Sequence, residues 1–301
     1  MHEGRHLLTI PPPGGGARTH AGAAARPPAK EATVSTSPSP LLELSRINKS
    51  FGPVQVLRDV DFTVTAGEVT ALVGDNGAGK STLVKCVSGI YSIDSGIVFY
   101  DGEPISINGP RDAADRGIEV VYQDLALCDN LDVVQNMFLG RERRTGLVLD
   151  EATMEELAAE TLAGLSVRTV KSLRQPVSSL SGGQRQTVAI AKAVLWNSNV
   201  VILDEPTAAL GVAQTGQVLE LARRMADNGL AVVLISHNMN DVFAVADRVA
   251  ALYLGRMAAQ VPITEVTHAQ VVELITAGRS GDLGLPAAGS GDDYGLNGAR
   301  G

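Results

Sequence analysis

The sequence predicts an α/β protein: a parallel sheet with helices on its faces, a small antiparallel β layer beside it, and an inserted helical subdomain. Three observations carry this expectation. Short apolar runs, VVIL at 200–203 and LAVVLIS at 230–236, alternate with helical patterns, as buried strands of βαβ units do. A glycine-rich stretch, GDNGAGKST at 74–82, lies between another such run and an apolar-periodic segment. Aromatic residues are scarce, at 4%, while 32 glycines are present, a balance suited to many tight turns rather than to aromatic-rich sandwiches.

The elements follow in order. Residues 1–40 contain PPPGGG, AGAAARPP and STSPSP, which cannot bury enough apolar surface to offset their ordering entropy, so a disordered tail is expected. From Leu41, LLELSRI and VDFTV alternate apolar and polar residues like half-buried antiparallel strands. EVTALVG at 68–74 reads as a buried strand, and GIVFYDGEPISI as a hairpin turning at Asp101-Gly102. Residues 112–179, approximately, are expected to be mostly helical, with Thr153 and Glu156 in capping-box spacing and apolar Leu157, Leu162 and Leu165 behind them. The strands at 200–204 and 230–236 complete a folded domain at 41–278, and 279–301 reads as a second disordered tail.

Composition narrows the function. A chain of 301 residues, 45% of them hydrophobic, holds a sizeable core. The net charge of -8 argues against a nucleic-acid partner. The two cysteines, Cys86 and Cys128, make a disulfide framework unexpected and suit a reducing compartment, where they serve as small core residues. The apolar runs are too short to cross a bilayer, so any membrane role is by association.

Gly74, Gly79, Lys80 and Ser81 fit the spacing G-x-x-x-x-G-K-[ST], with Asp75, Asn76, Gly77, Ala78 and Thr82 completing the loop. Small residues let backbone N–H groups turn around phosphate oxygens, and the helix that follows offers its positive end. In this pattern Lys80 bridges the β- and γ-phosphates, and Ser81 holds Mg²⁺. A buried strand that ends in two adjacent acids, Asp204 and Glu205, then finds a purpose, because ligands of open α/β sheets bind at the C-terminal ends of strands. Asp204 is expected to hold Mg²⁺, and Glu205 to polarise an attacking water.

LSGGQ at 180–184, Gln123 in VVYQD and His237 after LAVVLIS complete an ordered set. Together these motifs resemble the ATP-binding cassette (ABC) ATPases over roughly residues 41–276. The resemblance implies a P-loop NTPase of the ABC type: a RecA-like α/β core with an antiparallel β subdomain and an inserted α-helical subdomain. It implies that Phe51 stacks on adenine, that Gln123 touches Mg²⁺ and the attacking water, and that His237 contacts the γ-phosphate. Ser181, Gly182, Gly183 and Gln184 correspond to the signature that closes over the ATP of an opposite subunit, so two chains are expected to pair head to tail around two ATP molecules.

The stretches 59–96 and 120–142, and EPTAALGV, look like the ATPases of importers for ribose, xylose or fructose. That likeness implies transmembrane permease subunits as partners, docked at Leu125–Arg141, an extracytoplasmic sugar-binding protein as an indirect one, a homodimer, and a peripheral place on the cytoplasmic face of the membrane. One departure stands out: Gly211 replaces the aspartate usual after the acidic pair, which implies retained hydrolysis with altered communication between two sites, and a looser turn. The competing readings are an exporter ATPase, a non-transport ABC ATPase acting on DNA or ribosomes, and a regulatory ATP-binding module without turnover. Neither long coiled coils between phosphate loop and signature nor a charged linker between two cassettes occurs in the sequence, which disfavours the DNA and ribosome readings.

Overall fold

The structure, a computed structural model, describes residues 39–167, 169–196 and 198–279. The tails expected at 1–40 and 279–301 therefore lie outside the described residues, apart from 39, 40 and 279. In chain order the elements are β1 Leu42–Phe51, β2 Val54–Val64, β3 Val69–Gly74, α1 Lys80–Val87, β4 Ser95–Tyr100, β5 Glu103–Ile105, α2 Pro110–Asp115 and β6 Ile118–Val121. Next come α3 Val133–Phe138, β7 Arg144–Thr145, β8 Val148–Leu149, α4 Glu151–Gly164 and α5 Gly182–Val194. The chain then adds β9 Val200–Asp204, α6 Val212–Asp227, β10 Ala231–Ile235, α7 Met239–Val245, β11 Arg248–Tyr253, β12 Arg256–Pro262 and α8 His268–Ala277.

Six strands form the main sheet in the order β12-β11-β3-β10-β9-β6, all parallel except β12 against β11. Every residue of β3 and β10 is buried, which is why these strands read as unbroken apolar runs and not as alternating ones. Successive side chains still point to opposite faces. Val69, Ala71 and Val73 join the core that packs α3, α4, α5, α6 and α8, whereas Leu72 joins Ile202, Val233 and Ala250 on the other side. That second core holds α1 and the apolar faces of β1 and β2, which belong to a four-stranded antiparallel sheet in the order β2-β1-β4-β5. Helix α1 thus contributes to the core shared by both sheets, and the loop that precedes it is fixed by this packing.

Two expectations need correction. Ile118–Val121 lies in the span expected to be helical, yet it is β6, paired in parallel with β9 at the edge of the main sheet. The helical insertion therefore begins beyond Val121, and it also contains the β7–β8 hairpin. The cap of α4 is Asp150, not Thr153: its carboxylate accepts from the Thr153 N–H at 3.2 Å and from Thr153 Oγ1 at 2.9 Å. The Thr153 N–H holds the Asp150 carboxyl below its ordinary value. Leu162 and Leu165 are buried and Leu157 packs against the same core, as their spacing suggests.

Candidate active site

Parallel strands deliver their C-terminal ends to one edge of the sheet. Ile235 is opposite both Asp204 and Leu72, so Gly74, Glu205 and His237 all begin loops at that edge. Val121 is opposite Leu203, which puts Gln123 level with Glu205 on the neighbouring strand. The exposed Gln123 makes no described hydrogen bond.

The loop from Gly74 to Thr82 is built for glycine. Gly74 has φ 158°, and a Cβ there would come within 2.5 Å of the Leu252 carbonyl oxygen. Gly79 has φ 107°, and a Cβ would come within 2.9 Å of the Leu57 side chain. The N-terminus of α1 has no side-chain cap, so the first-turn N–H groups of Lys80, Ser81 and Thr82 have no acceptor inside the helix. Asp75, Asn76, Gly77 and Ser81 are exposed, while Ala78 packs inward. Such a concave set of small residues and free donors fits a polyphosphate.

Lys80 crosses this loop. Its ammonium donates to the carbonyls of Gly74 at 2.7 Å and Asp75 at 3.1 Å, leaving one of its three donors for another partner. Burial lowers its pKa, against the opposing pull of Glu205, Asp75 and Asp204. Asp204 shifts the other way: burial first, and then Glu205, raise its pKa, with Lys80 and Lys85 opposing. A carboxylate held this way gains from a divalent cation. Among the described residues, no cluster of three or more His, Cys, Asp or Glu could hold a metal. A hydroxyl, an amide and one carboxylate, as Ser81, Gln123 and Asp204 offer, are too few to hold a divalent cation by themselves and suit Mg²⁺ only if phosphate oxygens complete its shell.

Glu205 adopts φ 50°, a left-handed conformation uncommon for a residue with a side chain. Its own N–H donates to the Ile235 carbonyl at 3.0 Å, which pins the turn to the next strand. The turn brings Glu205 Oε2 to 3.3 Å from His237 Nδ1 in a cleft of about 440 Å³ lined also by Thr207, Ser236 and Asn238. A buried residue that the sequence reading passed over braces the cleft. Asp241 accepts from Thr207 Oγ1 at 2.7 Å and Asn238 Nδ2 at 2.9 Å, tying the loop after Glu205 to the loop after His237.

Phe51 is not a strand core residue: it is 42% exposed at the end of β1. Asp94 fixes that end by accepting from the Ser50 N–H at 2.6 Å and Lys49 Nζ at 2.9 Å. Tyr91, also overlooked, meets Phe51 edge to face with ring centroids 5.0 Å apart. If the Phe51 ring receives adenine, Tyr91 sets its tilt. Because such a pair is worth about 0.5–1.5 kcal/mol, Tyr91→Ala is expected to raise the KM for ATP about 2- to 10-fold with kcat nearly unchanged, and Tyr91→Phe to leave both near wild type. Steady-state ATPase assays check this.

Ser181 lies apart from this group, at the start of α5. It forms a capping box, accepting from the Gln184 N–H at 3.4 Å while its own N–H donates to Gln184 Oε1 at 2.8 Å. Gly182 is exposed, and Gly183 is buried, with a Cβ position only 3.1 Å from Gln214 of α6. Among the described residues, no hydrogen bond or ion pair joins 181–184 to 74–82. Gly211, the N-cap of α6, has φ −74° and open space around its Cβ position, so the backbone there does not require glycine. Cys86 is a core residue whose thiol burial pushes up to about 11.

Known proteins resemble this chain in sequence and in fold. The ABC transporter family profile matches residues 57–208. The fructose import ATP-binding protein FrcA of Rhizobium meliloti is 44% identical over 247 residues, which cover 80% of this chain and 95% of the relative. The xylose/arabinose import ATP-binding protein XylG of Sulfolobus acidocaldarius is 41% identical over 247 residues, covering 82% and 98%. A ribose import ATP-binding protein, RbsA of Lacticaseibacillus paracasei, is 39% identical, but the match spans only 46% of its length. Among solved structures, cbiO1 of Clostridium perfringens, part of an ABC transporter complex, has a TM-score of 0.66 at 27% identity, covering 75% of this chain and 90% of that one. An ABC transporter cassette in its ADP conformation shares the fold, with a TM-score of 0.68 at 23% identity over 79% of this chain and 96% of that one. Matched by the family model over half its length and 41–44% identical to relatives covered almost entirely, the chain belongs to the ABC transporter family of ATPases.

Proposed function

We propose that this chain is the ATP-hydrolysing subunit of a monosaccharide importer, working as a head-to-tail pair on the cytoplasmic face of the membrane beneath permease subunits. The observation that carries this reading is Lys80, Asp204, Glu205 and His237 gathered at one sheet edge, in a chain that covers 95% and 98% of a fructose and a xylose/arabinose import ATP-binding protein. No described helix is long and apolar enough to cross a membrane.

The phosphate loop binds and orients the β- and γ-phosphates through its N–H groups and Lys80. Bound Mg²⁺ supplies neutralisation of charge on those phosphates, with Ser81, Gln123 and Asp204 as its protein donors. Glu205 accepts a proton from the attacking water, His237 keeps that carboxylate oriented and touches the γ-phosphate, and Phe51 stacks on adenine. Ser181, Gly182, Gly183 and Gln184 serve the phosphates of the opposite subunit, where the start of α5 supplies a helix N-terminus.

Permease docking falls on Leu125–Arg141. This segment walls a groove of about 310 Å³ along the edge strand β6, lined by Tyr122, Leu125, Leu139, Lys192 and Trp196. The sugar-binding protein acts on the far side of the permease and never touches this chain.

Uptake of labelled ribose, xylose and fructose tests the reading in cells that lack this chain. At least one sugar should fail to enter, with rescue by the wild type but not by Glu205→Gln. Unchanged uptake of all three would remove the monosaccharide assignment. Gly211→Asp should add an N-cap to α6, a gain of a few tenths of a kcal/mol seen as a slightly higher melting temperature. Turnover should persist, and its cooperativity in ATP should change. Unaltered cooperativity would show that position 211 has no part in communication between sites.

A further inference from the structure

Residues 141–149 read Arg-Glu-Arg-Arg-Thr-Gly-Leu-Val-Leu. Arg144 pairs with Leu149 and Thr145 with Val148, and Gly146 turns the hairpin with φ 68°. At its tip Leu147 is fully exposed, Val148 is 70% exposed and Leu149 46% exposed. Three consecutive aliphatic side chains standing in water ask for a partner. The hairpin base is anchored: the Asp150 N–H donates to the Arg143 carbonyl at 3.0 Å, Thr145 Oγ1 donates to Asp150 Oδ2 at 3.4 Å, and Asp150 in turn caps α4.

The charges beside the tip are unevenly engaged. Glu142 accepts from the Gly140 N–H at 3.0 Å, and Asp150 serves the helix cap. Arg141 is held by Glu119 at 3.0 Å and lies over the Trp196 ring. Arg143 and Arg144, by contrast, have no side-chain hydrogen bond or ion pair within the described residues; Arg144 feels Glu142 and Arg143 feels Asp150 only at longer range. Two exposed guanidinium groups thus flank an exposed apolar tip.

We propose that this hairpin touches the membrane itself: Leu147 and Val148 enter the boundary between headgroups and acyl chains, and Arg143 and Arg144 take anionic lipid headgroups. The proposal rests on the reading of this chain as a subunit held beneath a permease. The hairpin is the element that leaves the permease groove at Arg141, so a docked subunit carries it beside the permease. A protein partner suits the tip less well, because two or three side chains on a narrow turn fall far short of the roughly 800 Å² per partner of a stable interface. A membrane surface accepts a narrow tip, and cations beside it add attraction to anionic lipid. Two signals of this size give weak, reversible attachment, enough to orient a subunit that the permease already holds.

The test uses the full chain and vesicles of phosphatidylcholine, with or without about one-third phosphatidylglycerol. Co-sedimentation should rise about tenfold on the anionic vesicles at low salt, although the chain carries a net charge of -8 and would be repelled as a whole. Leu147→Asp with Val148→Asp, or Arg143→Glu with Arg144→Glu, should return binding to the level on neutral vesicles while ATP turnover in solution stays at the wild-type rate. Equal sedimentation on both vesicle types, or hairpin variants that bind like wild type, overturns the proposal. Variants that lose sugar uptake in cells while wild-type chain ignores vesicles would assign the tip to the permease and also overturn it. The vesicle readout needs no importer, so it fails separately from the monosaccharide assignment.

Discussion

Glu205→Gln is expected to slow ATP hydrolysis by about two to four orders of magnitude while leaving ATP binding intact. The substitution keeps the shape of the side chain, and an amide can still meet His237 across the 3.3 Å gap. It removes the carboxylate charge and, with it, the capacity to accept a proton from water. Backbone strain isolates the effect further: the left-handed turn at Glu205 is held by a backbone bond to Ile235, which does not involve the carboxylate. Because ATP would bind and persist, the head-to-tail pair should accumulate. Gel filtration with ATP should show a dimer for this variant and a mixture for wild type. A monomer alone would remove the shared-site mechanism, and undiminished turnover would identify another base.

Lys80→Ala is expected to lower ATP affinity by about 10- to 150-fold, since a charge-assisted bond from its remaining donor to phosphate contributes about 1.5–3 kcal/mol. The loss has a pH signature in the wild type. Burial holds the Lys80 pKa below its ordinary 10.5, so alkaline pH discharges the ammonium earlier than it would a surface lysine. ATP binding should therefore weaken as pH rises through that depressed value. Stability of the nucleotide-free chain moves oppositely, because between the depressed value and 10.5 the unfolded chain binds more protons than the folded one. Nucleotide titrations and melting curves over this range should diverge for wild type. Lys80→Ala should remove the contribution to both, and parallel curves in the two proteins would contradict the assignment.

What could be read from the sequence depended on how local each signal was. The strands β3, β9 and β10 announce themselves because both faces are buried, and the loop at 74–82 because Gly74, Gly77 and Gly79 all take positive φ, which favours glycine. β6 was hidden: four residues between two turns carry no period, and only pairing with β9 makes them a strand. Thr153 and Glu156 had the right spacing for a cap, but Asp150 stands three residues earlier and its carboxylate accepts from the Thr153 N–H, which puts Thr153 inside the helix. Tyr91 and Asp241 escaped notice because their partners, Phe51 and Thr207, are 40 and 34 residues away along the chain. The hairpin tip at Leu147 read as part of a helical span, since two-residue strands leave no pattern.

The capping box at Ser181 has a consequence for how a second chain would meet its ATP. A serine hydroxyl owns one hydrogen and two lone pairs, and the cap uses only a lone pair, in accepting from Gln184. The hydrogen stays available to an incoming phosphate oxygen while the rotamer is already frozen by the helix. Gln184 in turn is tied to the Thr169 carbonyl, and Gly183 is pressed against Gln214. A second chain closing on this face would find Ser181 and Gln184 already ordered by the fold, so little of that entropic cost would fall on association.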